Sequence, residues 1–150
     1  MSNKKIKNAS KLTVNGITFK SKLEVNVYNT LKAQGFQVEY EPKTFIIWEG
    51  FRPTVPFYDR SGKGDCLLLQ KNKIIDIRYT PDFIVGYKGF TIFIEAKGME
   101  NDVFYIKKKL FRSLLEEMND VMYFEVRSKK ETLEAVKIIK KYVDEHSRTN

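Results

Sequence analysis

The stretch from Tyr79 to Gly98, YTPDFIVGYKGFTIFIEAKG, puts charge into two apolar runs: Asp82 early in the first, Glu95 and Lys97 late in the second. Burying a charge without a partner costs several kcal/mol, so a chain needing only a core would carry valine there. A turn at Lys88-Gly89, or over Tyr87 to Phe90, sets Asp82 directly opposite Glu95 on two paired strands, with Cβ atoms about 5 Å apart. Carboxylates so placed repel unless a cation lies between them. A divalent ion is the simplest such cation. Mg²⁺ takes converging carboxylate oxygens and completes its shell with water and substrate phosphate, and Mn²⁺ is expected to substitute. Lys97 shares a strand face with Glu95, where it can polarise an attacking water or hold a phosphate oxygen. A salt bridge from Lys97 to Asp82 or Glu95 is the structural alternative, and the D…ExK pattern alone does not decide between them.

A third acid lies upstream. Glu24 falls at helical spacing with Val27, Tyr28 and Leu31 and so points with an apolar stripe. Ser21-x-x-Glu24 is also a capping box, in which Glu24 would bond back to the Ser21 backbone N–H. A capping glutamate need not lie on the stripe, which favours a ligand role while leaving the cap open. Lys107 sits at helical spacing with Val103, Phe104, Leu110, Phe111 and Leu114, which puts its base on an inner face and Lys109 on the outer one. It either clamps a phosphate backbone or snorkels to the rim.

The elements that must position these residues are legible in outline. FKSKLEVNVYNTLKAQG predicts a helix with Ser21 as N-cap and Gly35 just past its end. FQVEYEP and TFIIW predict short strands, and the glycines and prolines between Glu49 and Gly64 mark a loop. CLLLQKNKIIDIRY predicts a hairpin turning at Lys71 to Lys73, ahead of the Tyr79–Gly98 hairpin. Asp102 is the expected cap of a helix from Val103 to about Met118, VMYFEVR a strand, and SKKE at Ser128 to Glu131 the capping box of a last helix. The expected fold class is α/β with a mixed sheet: hairpins force antiparallel pairs and the late strand-helix-strand unit permits a parallel one. One domain over 1–150 is expected, with a loose basic arm over 1–12 and an insertion over 49–73.

Composition narrows the partners. A formal charge of +8 on 150 residues points to a polyanion. Lys4, Lys5, Lys7, Lys11, Lys20 and Lys22 fall before the first acid, and YIKKKLFR adds a second basic cluster. Nucleic-acid backbone, DNA above all, is the natural partner; solvated surface is the plainer account of either cluster alone. No run of about 18 apolar residues occurs and MSNKKIKNAS lacks a secretory core, so no membrane partner and a cytoplasmic location are expected. The single Cys66 cannot form an internal disulfide. One histidine, His146, cannot build a histidine-based nuclease centre, no Cys/His spacing calls for zinc, and no G-x-x-x-x-G-K-[ST] loop calls for a nucleotide cofactor.

TPDF, a hairpin, IEAKG and the upstream helical glutamate together resemble the PD-(D/E)XK nuclease superfamily, with Pro81 and Asp82 as its PD and Glu95-Ala96-Lys97 as its ExK. The ordered series NASKLTVNGITFKSKLE, YEP, IRYTPDFIV, IEAKG and YIKKKLF, from about Asn8 to Phe111, is similar to small phage-encoded, endonuclease-I-like nucleases related to junction-resolving enzymes. The resemblance implies a restriction-endonuclease-like core, a mixed four-stranded sheet flanked by helices. It also implies Mg²⁺-dependent phosphodiester hydrolysis of branched or structured DNA in a bacterial host cell. Glu24, Asp82 and Glu95 would be metal ligands with the Ala96 carbonyl, and Lys97 would assist. The competing expectations are a non-catalytic nucleic-acid-binding module and a DNA-cleaving subunit of a recombination or transposition complex. Resolving a junction needs two symmetric cuts, which predicts a homodimer, with Trp48 and Phe51 of the aromatic TFIIWEGF segment as candidate contacts.

Overall fold

The computed structural model describes residues 11–60, 62, 64–99 and 101–147. Lys4, Lys5 and Lys7 lie outside the described residues. In chain order the elements are β1 (Leu12–Val14), β2 (Ile17–Phe19), α1 (Lys22–Ala33), β3 (Gln37–Tyr40), β4 (Phe45–Trp48), β5 (Tyr58–Arg60), β6 (Leu67–Leu69), β7 (Ile77–Tyr79), β8 (Phe83–Tyr87), β9 (Phe90–Ala96), α2 (Asp102–Leu115), β10 (Val121–Val126) and α3 (Lys129–His146).

The fold is α/β, with a mixed four-stranded sheet in the order β10-β9-β8-β3 and three helices. β3, β8 and β9 run antiparallel and β10 parallel to β9. Lys88 and Gly89, at φ of 47° and 86°, make a two-residue turn that fixes the β8–β9 register, Tyr87 opposite Phe90 and Phe83 opposite Ile94. Strand alternation then splits the sheet into two faces. Phe83, Val85, Ile92, Ile94 and Val126 pack with Phe19, Val27 and Leu31 and with the α3 stripe Ala135, Val136, Ile139 and Val143. The opposite face carries Phe93 under Phe45, Tyr79, Phe104 and Phe111, so α2 and the β4–β7 ribbon cover it. Among the described residues no helix is long and apolar enough to cross a membrane.

Several local expectations are corrected. CLLLQKNKIIDIRY does not fold back on itself: β6 pairs with β5, and β7 with β4. The pairing of β7 with β4 sets Tyr79 opposite Phe45, and both rings are buried against Phe111; folding onto the leucine run would leave Tyr79 outside this cluster. Gly50 lies where the ribbon continues through the Phe51–Ile74 bridge, and a side chain there would run into the Ile74 carbonyl. Residues 49–73 thus extend the β4–β7 ribbon and carry a β5–β6 hairpin whose strand residues are all exposed. The basic arm was expected to reach residue 12, but Leu12 already belongs to a hairpin, turned by Asn15 and Gly16 at φ of 52° and 78°. The N-cap of α2 is Asn101 instead of Asp102, its side chain accepting from the Phe104 N–H, and the helix ends at Leu115.

Candidate active site

Asp82 immediately precedes β8 and Glu95 is the penultimate residue of β9, so the register that pairs Phe83 with Ile94 puts the two acids face to face. Asp82 is anchored by a backbone N–H, and Glu95 by a backbone N–H and a side-chain hydroxyl. The Ala96 N–H donates to Asp82 Oδ2 at 2.8 Å, and the Asp82 N–H lies 3.4 Å from Glu95 Oε2. The Tyr79 hydroxyl donates to the same Glu95 oxygen at 2.6 Å and lies 3.2 Å from the Tyr123 hydroxyl. Asp82 is 8% exposed. Burial, then the Glu95 charge, push its carboxyl up to about 8. Burial also raises Glu95, with the Tyr79 hydroxyl, the Asp82 N–H and the Lys97 charge acting against it. Burial and the Glu95 charge push the Tyr79 phenol well above its usual range, so it remains a donor. Lys97 is buried with its ammonium over the ring of Phe104. It therefore faces α2, on the same side as Glu95.

Glu24 is buried at the start of α1, as its place on the stripe predicts. It also caps: Ser21 Oγ accepts from the Glu24 N–H at 3.1 Å. The return bond comes from the Lys20 N–H, 2.8 Å from Glu24 Oε2, and not from Ser21 as expected. Ser128 and Glu131 repeat this geometry, Glu131 accepting from the Arg127 N–H, so the shift is a property of how both boxes close. Glu24 Oε2 takes a further bond from the Tyr40 hydroxyl at 2.7 Å, and the Glu24 charge contributes to raising both Asp82 and Glu95.

The three acids share one pattern. Every described hydrogen bond to them ends on a single oxygen: Oε2 of Glu24, Oδ2 of Asp82, Oε2 of Glu95. The other oxygen of each accepts nothing from the described residues. Carboxylates oriented through one oxygen with the second to spare are a hard-donor set that fits a hard divalent ion such as Mg²⁺ or Mn²⁺. As the side chains stand, no three His, Cys, Asp or Glu residues among those described are gathered tightly enough to hold an ion; Asp82 and Glu95 form the pair, with Glu24 set behind them.

The pair opens into a cleft of about 560 Å³ lined also by Lys20, Arg78, Tyr79 and Lys107. Lys20 pairs with Glu41 at 2.5 Å, and that bond raises its pKa. Lys107 makes no hydrogen bond or ion pair with the described residues, whereas its neighbour Lys108 pairs with Glu125 at 2.7 Å. Of the other lysines singled out above, Lys11 and Lys22 are exposed and do not line the cleft. Glu24 and Lys97 stand behind its wall. Ala96 contributes its N–H to Asp82. Sequence reasoning missed Tyr79, Tyr40, Arg78 and Glu41. Tyr79 and Arg78 lie inside the quoted IRYTPDF segment, but nothing in their spacing shows which face of the ribbon they occupy. Another concavity, about 470 Å³ around Phe90, Tyr142 and His146, has Glu116 and Asp120 in its lining, both exposed.

Fold and site together define an α/β chain with a buried carboxylate pair at the floor of a cleft edged by basic side chains. Residues 4–133 match the family described as "Protein of unknown function (DUF1064)", and the chain belongs to that family. No curated protein matches it.

Proposed function

We propose that this chain is a Mg²⁺-dependent endodeoxyribonuclease of the PD-(D/E)XK type, acting on branched or otherwise structured DNA. The observation that carries the reading is the Asp82–Glu95 pair, two buried acids held face to face with one oxygen of each to spare. Asp82, Glu95, Glu24 and the Ala96 carbonyl would hold the ion, which when bound supplies a water of lowered pKa and neutralises charge developing on phosphorus. The chain's own residues account for the rest. Tyr79 fixes the Glu95 carboxylate by donating to Oε2, and the Ala96 N–H does the same for Asp82. Lys97, on the same face as Glu95 with its ammonium over Phe104, would hold an attacking water once it turns toward the cleft. Lys20, Arg78 and Lys107 edge the cleft as phosphate contacts.

Two strand cuts require two sites, so the reading includes a homodimer. Trp48 and Phe51, in edge-to-face contact at 5.9 Å and half exposed on the ribbon, are the candidate contacts. The binding-module alternative draws on one observation: Glu24 already serves as cap and accepts from Tyr40. Incubating the protein with labelled linear duplex, single strand and four-way junction, with Mg²⁺ or EDTA, separates these readings. Cleavage in Mg²⁺ that EDTA abolishes is expected, strongest on the junction. Binding without cleavage of any of the three supports the module instead.

A further inference from the structure

Beside the acid pair lies a second concavity of about 390 Å³ whose floor is aliphatic, formed by Ile75, Ile77, Val103 and Ile106, with Arg78 and Lys107 at its edge. Arg78, Val103 and Lys107 line both this groove and the acid cleft, so the two are continuous. Isolated exposed aliphatics are ordinary on protein surfaces. Here Ile75, Val103 and Ile106 are 76%, 59% and 58% exposed and converge from two separate segments onto one hollow. Val103 was expected on the inner face of α2; it instead turns its side chain to this groove.

The charges at the edge select the occupant. Lys107 has no partner among the described residues, and Arg78 reaches only Asp76, at 3.6 Å. Asp76 is the one acid of the groove, and its Oδ1 accepts from the Gly50 N–H at 2.7 Å. An aliphatic floor between Lys107 and the exposed, loosely paired Arg78 suits a group that is flat and apolar with an anion on each side. A nucleotide has that form, and apolar side chains are among the groups that hold a base taken out of the stack. A fully paired duplex keeps its bases stacked and offers this floor only backbone. An unpaired base next to the phosphate held over Asp82 and Glu95 can lie in the groove.

We infer that the Ile75–Val103–Ile106 groove binds an unpaired nucleobase adjoining the phosphate to be cut, with its flanking phosphates on Arg78 and Lys107. The site would then prefer DNA carrying a bulged, flapped or branch-point nucleotide. This rests on the nucleic-acid reading of the acid cleft and deepens it.

The test is equilibrium binding in EDTA to two duplexes, one fully paired and one with a single extrahelical 2-aminopurine, using the intact chain and an Ile75→Ser/Ile106→Ser variant, both positions lining the groove and not the acid cleft. Both positions are exposed, so the variant keeps the core, and circular dichroism checks this. The wild type should bind the bulged duplex roughly tenfold more tightly than the paired one, the scale of one base packed on a protein surface, with a change in 2-aminopurine fluorescence. The variant should bind both duplexes equally, with its affinity for the paired duplex unchanged. Equal binding of both duplexes by the wild type, or a preference that survives in the variant, overturns the inference. So does a variant that loses affinity for both duplexes while falling from dimer to monomer in sedimentation, which would make the groove a protein interface. Because EDTA prevents metal-dependent cleavage, a bulge preference in a chain that never cuts supports the groove and sinks the nuclease. Cleavage without such preference does the reverse.

Discussion

β9 shows two kinds of surface on one strand. Ile92 and Ile94 are completely buried toward α1 and α3, in a cluster of apolar side chains. Phe93, Glu95 and Lys97, at alternate positions, face α2, where Tyr79, Tyr123 and Asp82 gather around the Glu95 carboxyl. The neighbouring strands divide the same way. β10 turns Val126 to the dry side and Glu125, paired with Lys108, to the other. One face of the sheet holds the fold together, and the other keeps charges at a cost that stability alone does not require. Substitutions should therefore separate stability from activity according to the face they touch.

The largest separation is expected between Asp82→Asn and Ile94→Ala. Asp82→Asn should lower cleavage at least about 100-fold, the scale of losing one preorganised charge-stabilising group. It removes the cost of burying an acid beside Glu95, so the metal-free protein should melt no lower than wild type. Ile94→Ala should cost about 2–5 kcal/mol of stability yet leave cleavage per folded molecule unchanged. Thermal melts and a gel assay on the same preparations check both, and an Asp82→Asn protein that loses activity by unfolding would erase the contrast.

The contrast also has a pH signature. Asp82 is pushed up to about 8 in the folded chain from an ordinary 3.8, so between these values the native state holds a proton that the unfolded chain has released. The stabilisation is complete below about pH 4 and is lost as pH rises toward 8, on the order of a few kcal/mol. Denaturant titrations of metal-free protein should show this decline, flattened in Asp82→Asn and intact in Ile94→Ala. A wild-type stability that is level over this range would contradict the charged-face account.

A smaller and sharper comparison uses the two capping boxes. Glu24 and Glu131 cap alike, but only Glu24 is buried, bonded by a tyrosine and near Asp82. Glutamine satisfies a capping box, so Glu24→Gln and Glu131→Gln should each keep their helix to within about 0.5 kcal/mol. Glu24→Gln alone should slow cleavage at limiting Mg²⁺, by roughly tenfold, the loss typical of weakening a metal site by one supporting group. Equal rates for the two variants would leave Glu24 a cap and nothing more.

Much of this was legible because it is local. The Lys88-Gly89 turn and strict alternation set Asp82 opposite Glu95, and Ser21, Ser128 and Gly35 mark helix ends as expected. What escaped depends on distant partners. Whether Ile77–Tyr79 pairs with the adjacent leucine run or with Phe45–Trp48 is decided by the aromatic cluster around Phe111, which no window of sequence contains. Tyr79 and Tyr40 reach their carboxylates only once the ribbon and β3 are docked. The Asn15-Gly16 hairpin is different. Asn-Gly between LTV and ITF is among the strongest hairpin signals, although the lysines on either side give the segment the composition of a solvated arm.

The most direct test of the charged face is a calorimetric titration of Mn²⁺ into metal-free protein at about pH 7, in buffers of different ionisation heat. Binding at the acid pair must displace the proton that Asp82 holds. The wild type should therefore bind with release of about one proton per ion, and Asp82→Asn should bind more than about tenfold more weakly with less proton release. Absence of binding by the wild type, or binding that Asp82→Asn leaves undiminished, would contradict a metal centre at Asp82 and Glu95.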